Sequence, residues 1–266
     1  MIPKIIHYCW FGGKPLPNDV KSIIATWRRH CPDYEIIEWN ESNFDVDEIA
    51  YSREAHTAKK WAFVSDYVRM KVLYQYGGFY LDTDVELIQS LDDFCCYDTV
   101  LGYESPKCIS TAVIGVTPSS EWISKMLSYY DASSFRLADG KYNLTTNVRT
   151  ISRILTQEYN LNLNGKRIFL DNAKFLLLPY EYLCAKSYLT GEINKTSNTY
   201  AIHHFSGSWL SDIEKEQSEL RKKYNQEMSW IPFPWVREKI ASARSVYKTE
   251  GMKGVKERIL KIIRSI

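Results

Sequence analysis

Long apolar runs are missing from this 266-residue sequence. No stretch reaches the roughly 18 uninterrupted apolar residues that a membrane-spanning helix needs. The opening MIPKIIHYCWFGG has a short apolar run that contains a His, with neither a basic leader nor a cleavage site. It therefore reads as a first strand rather than a signal peptide. Six cysteines (Cys9, Cys31, Cys95, Cys96, Cys108, Cys184) form no C-x-x-C pair and no zinc-type spacing. Reduced core thiols in a cytoplasmic enzyme are the expectation. No G-x-x-x-x-G-K-[ST] phosphate loop occurs, which argues against a nucleoside triphosphate site of that kind. Internal repeats and low-complexity linkers are also lacking.

Strong net charge is absent too, but the total of +2 is unevenly placed. From Ser229 to Ile266 there are nine Lys/Arg and three Glu, which gives +6 and leaves −4 for the rest. An acidic body with basic residues confined to the tail disfavours nucleic-acid binding. Apolar residues at 45% and charged residues at 25% are ordinary for a globular chain. The aromatic share of 14% is carried mostly by 19 Tyr and 8 Trp. Such side chains pair an apolar face with a hydrogen-bonding tip, which suits a core and also suits sugars and bases.

The apolar run over residues 4–11 ends at Gly12-Gly13 and reads as a buried strand entering a loop. Asn18 is expected to cap a helix with Val20, Ile23, Ile24 and Trp27 on one face that stops at Cys31-Pro32, and Glu35–Trp39 reads as a second strand. This is a βαβ opening to a mostly parallel sheet. A long helix is expected from Ala58 to Tyr76, and a short strand over Phe79–Leu81 runs into Asp82-Thr83-Asp84. Further strands are expected over 99–103, 111–116, 167–170, 174–178 and 199–205, with helices over 119–130, 145–159 and 212–228. Pro232 and Pro234 mark the boundary between a catalytic domain, 1–228, and a tail, 229–266. In the tail, after the aromatic Trp230, Phe233 and Trp235, apolar Val255, Ile259, Ile262, Ile263 and Ile266 alternate with basic residues as in an amphipathic helix that lies on an anionic membrane. Packing of that helix on protein is the competing reading.

The chemistry concentrates around Asp82 and Asp84. Two carboxylates spaced two apart at a strand end point the same way and can share a hard divalent cation. Asp-x-Asp by itself is a common turn sequence. The preceding helix adds to it: at about 100° per residue, Lys60, Lys71 and Gln75 face solvent while Asp66 and Arg69 face inward with Ala62, Ser65 and Leu73. Buried charge costs several kcal/mol unless it is paired or used. An internal i,i+3 ion pair that only ties down the helix is the plainer account of these two residues.

Ser65-Asp66-x-x-Arg69, Leu73 and Gly77-Gly78-Phe79-Tyr80-Leu81-Asp82-Thr83-Asp84-Val85-Glu86 together resemble the signature of the DXD-containing sugar transferases. That group includes yeast-type α-1,6-mannosyltransferases, bacterial capsular polysaccharide transferases and, distantly, the clostridial glucosylating toxins. The opening Pro3–Gly12 and the block His203-His204-Phe205-Ser206-Gly207-Ser208-Trp209 resemble the first strand and closing segment of the same family. The resemblance covers roughly residues 3–210 in the family's order. It implies a GT-A fold: a single Rossmann-like α/β domain with a mostly parallel central sheet, here followed by the amphipathic tail. It also implies transfer of a hexose-type sugar, with retention, from a UDP- or GDP-sugar to a carbohydrate or lipid-linked glycan in surface polysaccharide synthesis. Mn²⁺ or Mg²⁺ would be the cofactor, and the place of work would be the cytoplasm, at the inner face of the cell membrane.

By position the resemblance assigns Asp82, Asp84 and His204 to the metal, and Asp66 and Arg69 to the donor's hydroxyls and diphosphate. Asp82 would also reach the donor. Trp10 would stack on the base, and Ser208 and Trp209 would close over the diphosphate. Plainer readings stand beside these: Trp10 fits a core position, and one of His203 and His204 fits a buried structural histidine, as does His7. Glu104 lies near a strand end where an acceptor is met, and Asn147 suits either a sugar contact or a helix cap. Two other functions compete, a metal-dependent nucleotidyltransferase or phosphohydrolase, and a non-enzymatic carbohydrate-binding protein.

Overall fold

The computed structural model describes residues 1–207 and 210–263, the side chains of 234–235 and 260–263 excepted. It divides into two compact units, Met1–Ala185 with Lys195–His204, and Lys186–Asn194 with Phe205–Ile266.

The first unit is a mixed α/β structure. In chain order it contains β1 (Ile5–Cys9), α1 (Asn18–His30), β2 (Glu35–Trp39), α2 (Ala50–Thr57), α3 (Trp61–Tyr76), β3 (Gly78–Leu81) and β4 (Val85–Leu87). Next come β5 (Thr99–Ser105), β6 (Cys108–Val116), α4 (Glu121–Asp131), α5 (Asn147–Tyr159), β7 (Ile168–Leu170), β8 (Phe175–Leu178), α6 (Tyr180–Leu183) and β9 (Ala201–His203). Seven strands form one sheet in the order β2-β1-β3-β6-β5-β8-β7. β2, β1 and β3 are mutually parallel, β6 opposes β3 and β5, β5 is parallel to β8, and β7 opposes β8. Five of the seven strands therefore run one way, as expected of the GT-A sheet.

Successive side chains of a strand point to opposite faces, and β3 shows how both faces are used. Phe79 and Leu81 pack with Ile24 and Trp27 of α1, while Tyr80 packs with Val64, Tyr67 and Met70 of α3 and Trp122 of α4. Continuous apolar runs in β3 and β6 follow from burial on both sides.

The glycine pair sets where β3 begins. Gly77 and Gly78 both have positive φ, 64° and 94°. A Cβ on Gly78 would stand 2.8 Å from the Ile5 carbonyl oxygen, so only glycine lets β3 lie against β1 at this point. His7 secures the turn: its Nε2 donates to the Gly77 carbonyl at 2.8 Å, and its Nδ1 accepts from the Trp39 indole at 3.1 Å. Burial holds the His7 pKa down at about 4, the Gly77 contact opposing. The histidine is therefore a neutral structural brace.

Two local expectations are corrected. The helix leading to the acidic pair starts at Trp61 rather than Ala58, because Lys59 adopts φ 56° and separates α2 from α3. At α1 the cap position is Pro17, and Asn18 is the first helical residue. In the second unit, α7 (Asp212–Glu227) packs along α8 (Pro234–Ile263).

The second unit is this helical pair with the 186–194 segment. Ser211 and Glu214 form a capping box at the start of α7. α8 is two helical stretches meeting at Gly251, φ 67°. Among the described residues no helix is long and apolar enough to cross a membrane. All six cysteines are free, with Cys9, Cys31 and Cys184 buried.

Candidate active site

Sheet register gathers the site. β1 and β3 are parallel neighbours with His7 opposite Tyr80, so Trp10 and Asp82 leave the sheet at the same edge. Asp82 and Asp84 follow β3, and Val85 then enters β4, which pairs antiparallel with β9. In that pairing Val85 faces His203, and the His204 amide donates to the Asp84 carbonyl at 2.9 Å. The Trp27 indole donates to the Val85 carbonyl at 2.7 Å and fixes the same loop from the other side.

Asp66 and Arg69 point inward as the helical period requires; they are 8% and 5% exposed. Arg69 joins the helix to the acidic loop. Its Nη2 contacts Asp66 Oδ1 at 3.1 Å and its Nη1 contacts Asp82 Oδ1 at 3.2 Å. Nη1 also donates to the Thr111 carbonyl at 2.7 Å, and Nε donates to the Ser65 carbonyl at 3.2 Å. The guanidinium lies 4.5 Å from the Tyr80 ring centroid. Four acceptors and a π face occupy most of its donor capacity. Arg69 thus ties Asp66 and Asp82 together, beside the donor contact that the family resemblance implies for it.

Asn147 completes the clamp. As the first residue of α5, buried, its Nδ2 donates to Asp66 Oδ1 at 2.6 Å, and its Oδ1 accepts from Thr111 Oγ1 at 2.9 Å. Its role is to orient Asp66; the helix-cap reading is set aside.

The metal-type cluster consists of Asp82, Asp84 and His203, with one ligand atom of each lying within 4.8 Å of the others. Two ligands on a divalent cation with bonds of about 2.1–2.3 Å lie roughly 3–4.5 Å apart, so these side chains fit such an ion with small inward shifts. Two oxygens and an imidazole nitrogen suit Mn²⁺ better than the oxygen-seeking Mg²⁺. His204, expected here, turns to Glu86 at 2.9 Å instead. Adjacent residues of an extended segment point opposite ways, and the β4–β9 register selects His203.

Charge in the site is unbalanced. Asp66 and Asp82 share the Arg69 guanidinium while Asp84 faces the His203 imidazole, and the local potential shows in the titration of the neighbours. Burial pushes the Asp66 carboxyl up to about 7, with Asp82 reinforcing and Arg69 and Asn147 opposing. Burial pulls His203 down, but the Asp84 charge and hydrogen bond together with Cys184 outweigh it, and the imidazole is held well above its ordinary value. The Nε2–Asp84 Oδ1 distance is 3.3 Å. A cation bound by these three residues would displace that proton. Glu104, at the end of β5, is raised by burial, with His203 opposing and Asp82 reinforcing. It belongs to the same electrostatic cluster.

Trp10 is half-buried and its indole donates to the Lys14 carbonyl at 2.6 Å. Ser208 and Trp209 lie outside the described residues. His203 and the clamp role of Asn147 were the parts sequence reasoning did not single out. The only signal for either was a polar residue inside an otherwise apolar or capping context.

The family described as "glycosyltransferase sugar-binding region containing DXD motif" matches residues 17–102. The matched segment runs through α3 and the acidic pair, so the similarity falls on the part of the chain that builds the site. Inositol phosphoceramide mannosyltransferase 2 of Schizosaccharomyces pombe is 29% identical over 183 residues, 66% of this chain and 52% of that protein. Mannosyl phosphorylinositol ceramide synthase SUR1 of Saccharomyces cerevisiae is 28% identical over 142 residues, 49% of this chain and 36% of that protein. The chain thus spans about half the length of the first relative and about a third of the second. Among solved structures, PaToxG Glycosyltransferase aligns with a TM-score of 0.47 and 20% identity over 60% of this chain and 70% of that one.

Proposed function

We propose that this chain is a divalent-metal-dependent, retaining glycosyltransferase. It would move a hexose-type sugar from a nucleoside diphosphate donor to a carbohydrate or lipid-linked glycan acceptor. The single observation that carries the reading is the Arg69 clamp. A guanidinium buried between Asp66 and Asp82, braced by Asn147 and Thr111, costs desolvation that a binding protein with a simple Ca²⁺ loop has no use for. It ties a sugar-facing acid to the metal-facing acid in one rigid unit.

Asp82, Asp84 and His203 would hold the ion, Mn²⁺ in preference to Mg²⁺. When bound, the ion neutralises charge growing on the departing diphosphate. The contacts to Asp66 converge on Oδ1, which directs Oδ2 to a donor hydroxyl. Trp10, at the same sheet edge, would take the base, and Ser208 and Trp209 the diphosphate. Glu104 is assigned to the acceptor side. With Glu104 given to the acceptor, no other carboxylate of the cluster among the described residues is left outside the clamp and the ion set to act as nucleophile, which favours front-face attack with the leaving phosphate accepting the acceptor's proton.

Mannosyl transfer to inositol phosphoceramide in the yeast relatives' names makes GDP-mannose the first donor to try and a glycolipid a sensible acceptor class. Bacterial-type surface polysaccharide synthesis, a cytoplasmic location and peripheral membrane contact through 229–266 complete the reading. The test is nucleoside diphosphate release from UDP- and GDP-sugars with Mn²⁺. Release is expected, and Asp84→Ala should lower it at least about 100-fold, near 2.7 kcal/mol of transition-state stabilisation. Monophosphate release would move the assignment to a phosphohydrolase, and binding without turnover to a carbohydrate-binding protein.

A further inference from the structure

The helical unit carries an apolar face that stays exposed among the described residues. Trp230, in the turn between α7 and α8, is 78% exposed, and Phe233, just before α8, is 57% exposed. Seven and fourteen residues after Phe233 come Ile240 and Tyr247, 38% and 58% exposed. A spacing of seven returns to nearly the same side of a helix, so the three form one stripe. Ala241, Ser245 and Val246, each no more than 2% exposed, take the opposite side, toward α7. The exposure is therefore a face of the helix and does not come from loose packing.

We propose that this stripe, headed by Trp230, lies in the interface of a bilayer rich in anionic lipid. The proposal rests on the membrane contact through 229–266 in the functional reading above and narrows it to this stripe on the first half of α8. Trp, Tyr and Phe suit the boundary between headgroups and acyl chains, because each buries a ring there and the first two keep a polar tip in water. Charge is complementary: residues 229–266 carry +6, and at about 100° per residue Arg237, Arg244 and Lys248 project within about 80° of the stripe. Arg244 also lies over the Tyr224 ring at 4.2 Å, which holds it beside the stripe. A second copy of the chain is the disfavoured occupant, since a two-fold contact would set one +6 segment against another.

The test is flotation of the full chain with vesicles of phosphatidylcholine alone and of phosphatidylcholine with phosphatidylglycerol. The chain should float with the anionic vesicles, weakly with the neutral ones, and less as salt rises. Trp230→Ser/Phe233→Ser/Tyr247→Ser should lower anionic-vesicle partitioning at least about tenfold. Lys248→Glu/Lys253→Glu, at exposed sites, should lower it in the same direction. Nucleoside diphosphate release without vesicles should be unchanged in both variants, so failure here is separable from failure of the transferase reading. The idea is overturned if the chain ignores anionic vesicles or if the triple variant floats like the wild type. It is also overturned if the wild type is a dimer that the triple variant converts to monomer.

Discussion

Two adjacent histidines have opposite fates. His203 stands opposite Val85 in the β4–β9 ladder and reaches Asp84, whereas His204 reaches Glu86. His203→Ala should weaken Mn²⁺ binding about 10- to 100-fold, the usual cost of losing one ligand or its support, while His204→Ala should change it less than about threefold. Titration calorimetry with Mn²⁺ distinguishes them, and equal losses would reject the assignment. Asp66 and Arg69 were readable in advance, because a helix declares its inward side through its own period. Asn147 was not: its partner Asp66 is 81 residues away.

At the level of elements, the acidic loop depends on where β3 can start. Gly78→Ala would force a left-handed backbone onto an L residue and push a Cβ to 2.8 Å from the Ile5 carbonyl oxygen. It should cost about 2–4 kcal/mol by urea denaturation. Gly140→Ala, with φ 81° and open space around it, should cost only about 1 kcal/mol. Similar losses at both positions would show that the β1–β3 approach is not the constraint. The strand and helix types were legible from hydrophobic period and glycine or proline punctuation. α2 escaped that reading because Ala50–Thr57 is short and mostly polar, and it is a helix because Tyr51 and Ala55 pack against the core.

For the molecule as a whole, burying an unbalanced charge cluster makes stability depend on pH. The Asp66 carboxyl is raised from an ordinary 3.8 to about 7 by burial, with Asp82 reinforcing. The folded state therefore holds this proton more tightly than the unfolded chain. The stabilisation it contributes is full below about pH 4 and is lost as pH rises through 7. Asp66→Asn removes this titration. Between pH 5 and pH 8 the stability of the variant relative to the wild type should rise by about 2–3 kcal/mol, measured by urea denaturation at both values. A constant difference would mean that Arg69 keeps Asp66 ionised throughout. The division into two units belongs to the same scale: residues 186–194 and 205–228 join the tail because α7 finds its apolar partner in α8.

What the sequence alone determined was local. The acidic pair after a glycine-led strand, the inward acid and base on α3, and the basic tail all follow from periodicity and spacing within a few turns or residues. The tertiary structure decided which distant groups meet. It chose His203 over His204, set Asn147 against Asp66, brought Glu104 into the cluster and placed Arg69 between Asp66 and Asp82. Those choices depend on strand register and on the packing of elements far apart in the chain, and a one-residue shift in either would present a different side chain to the same place.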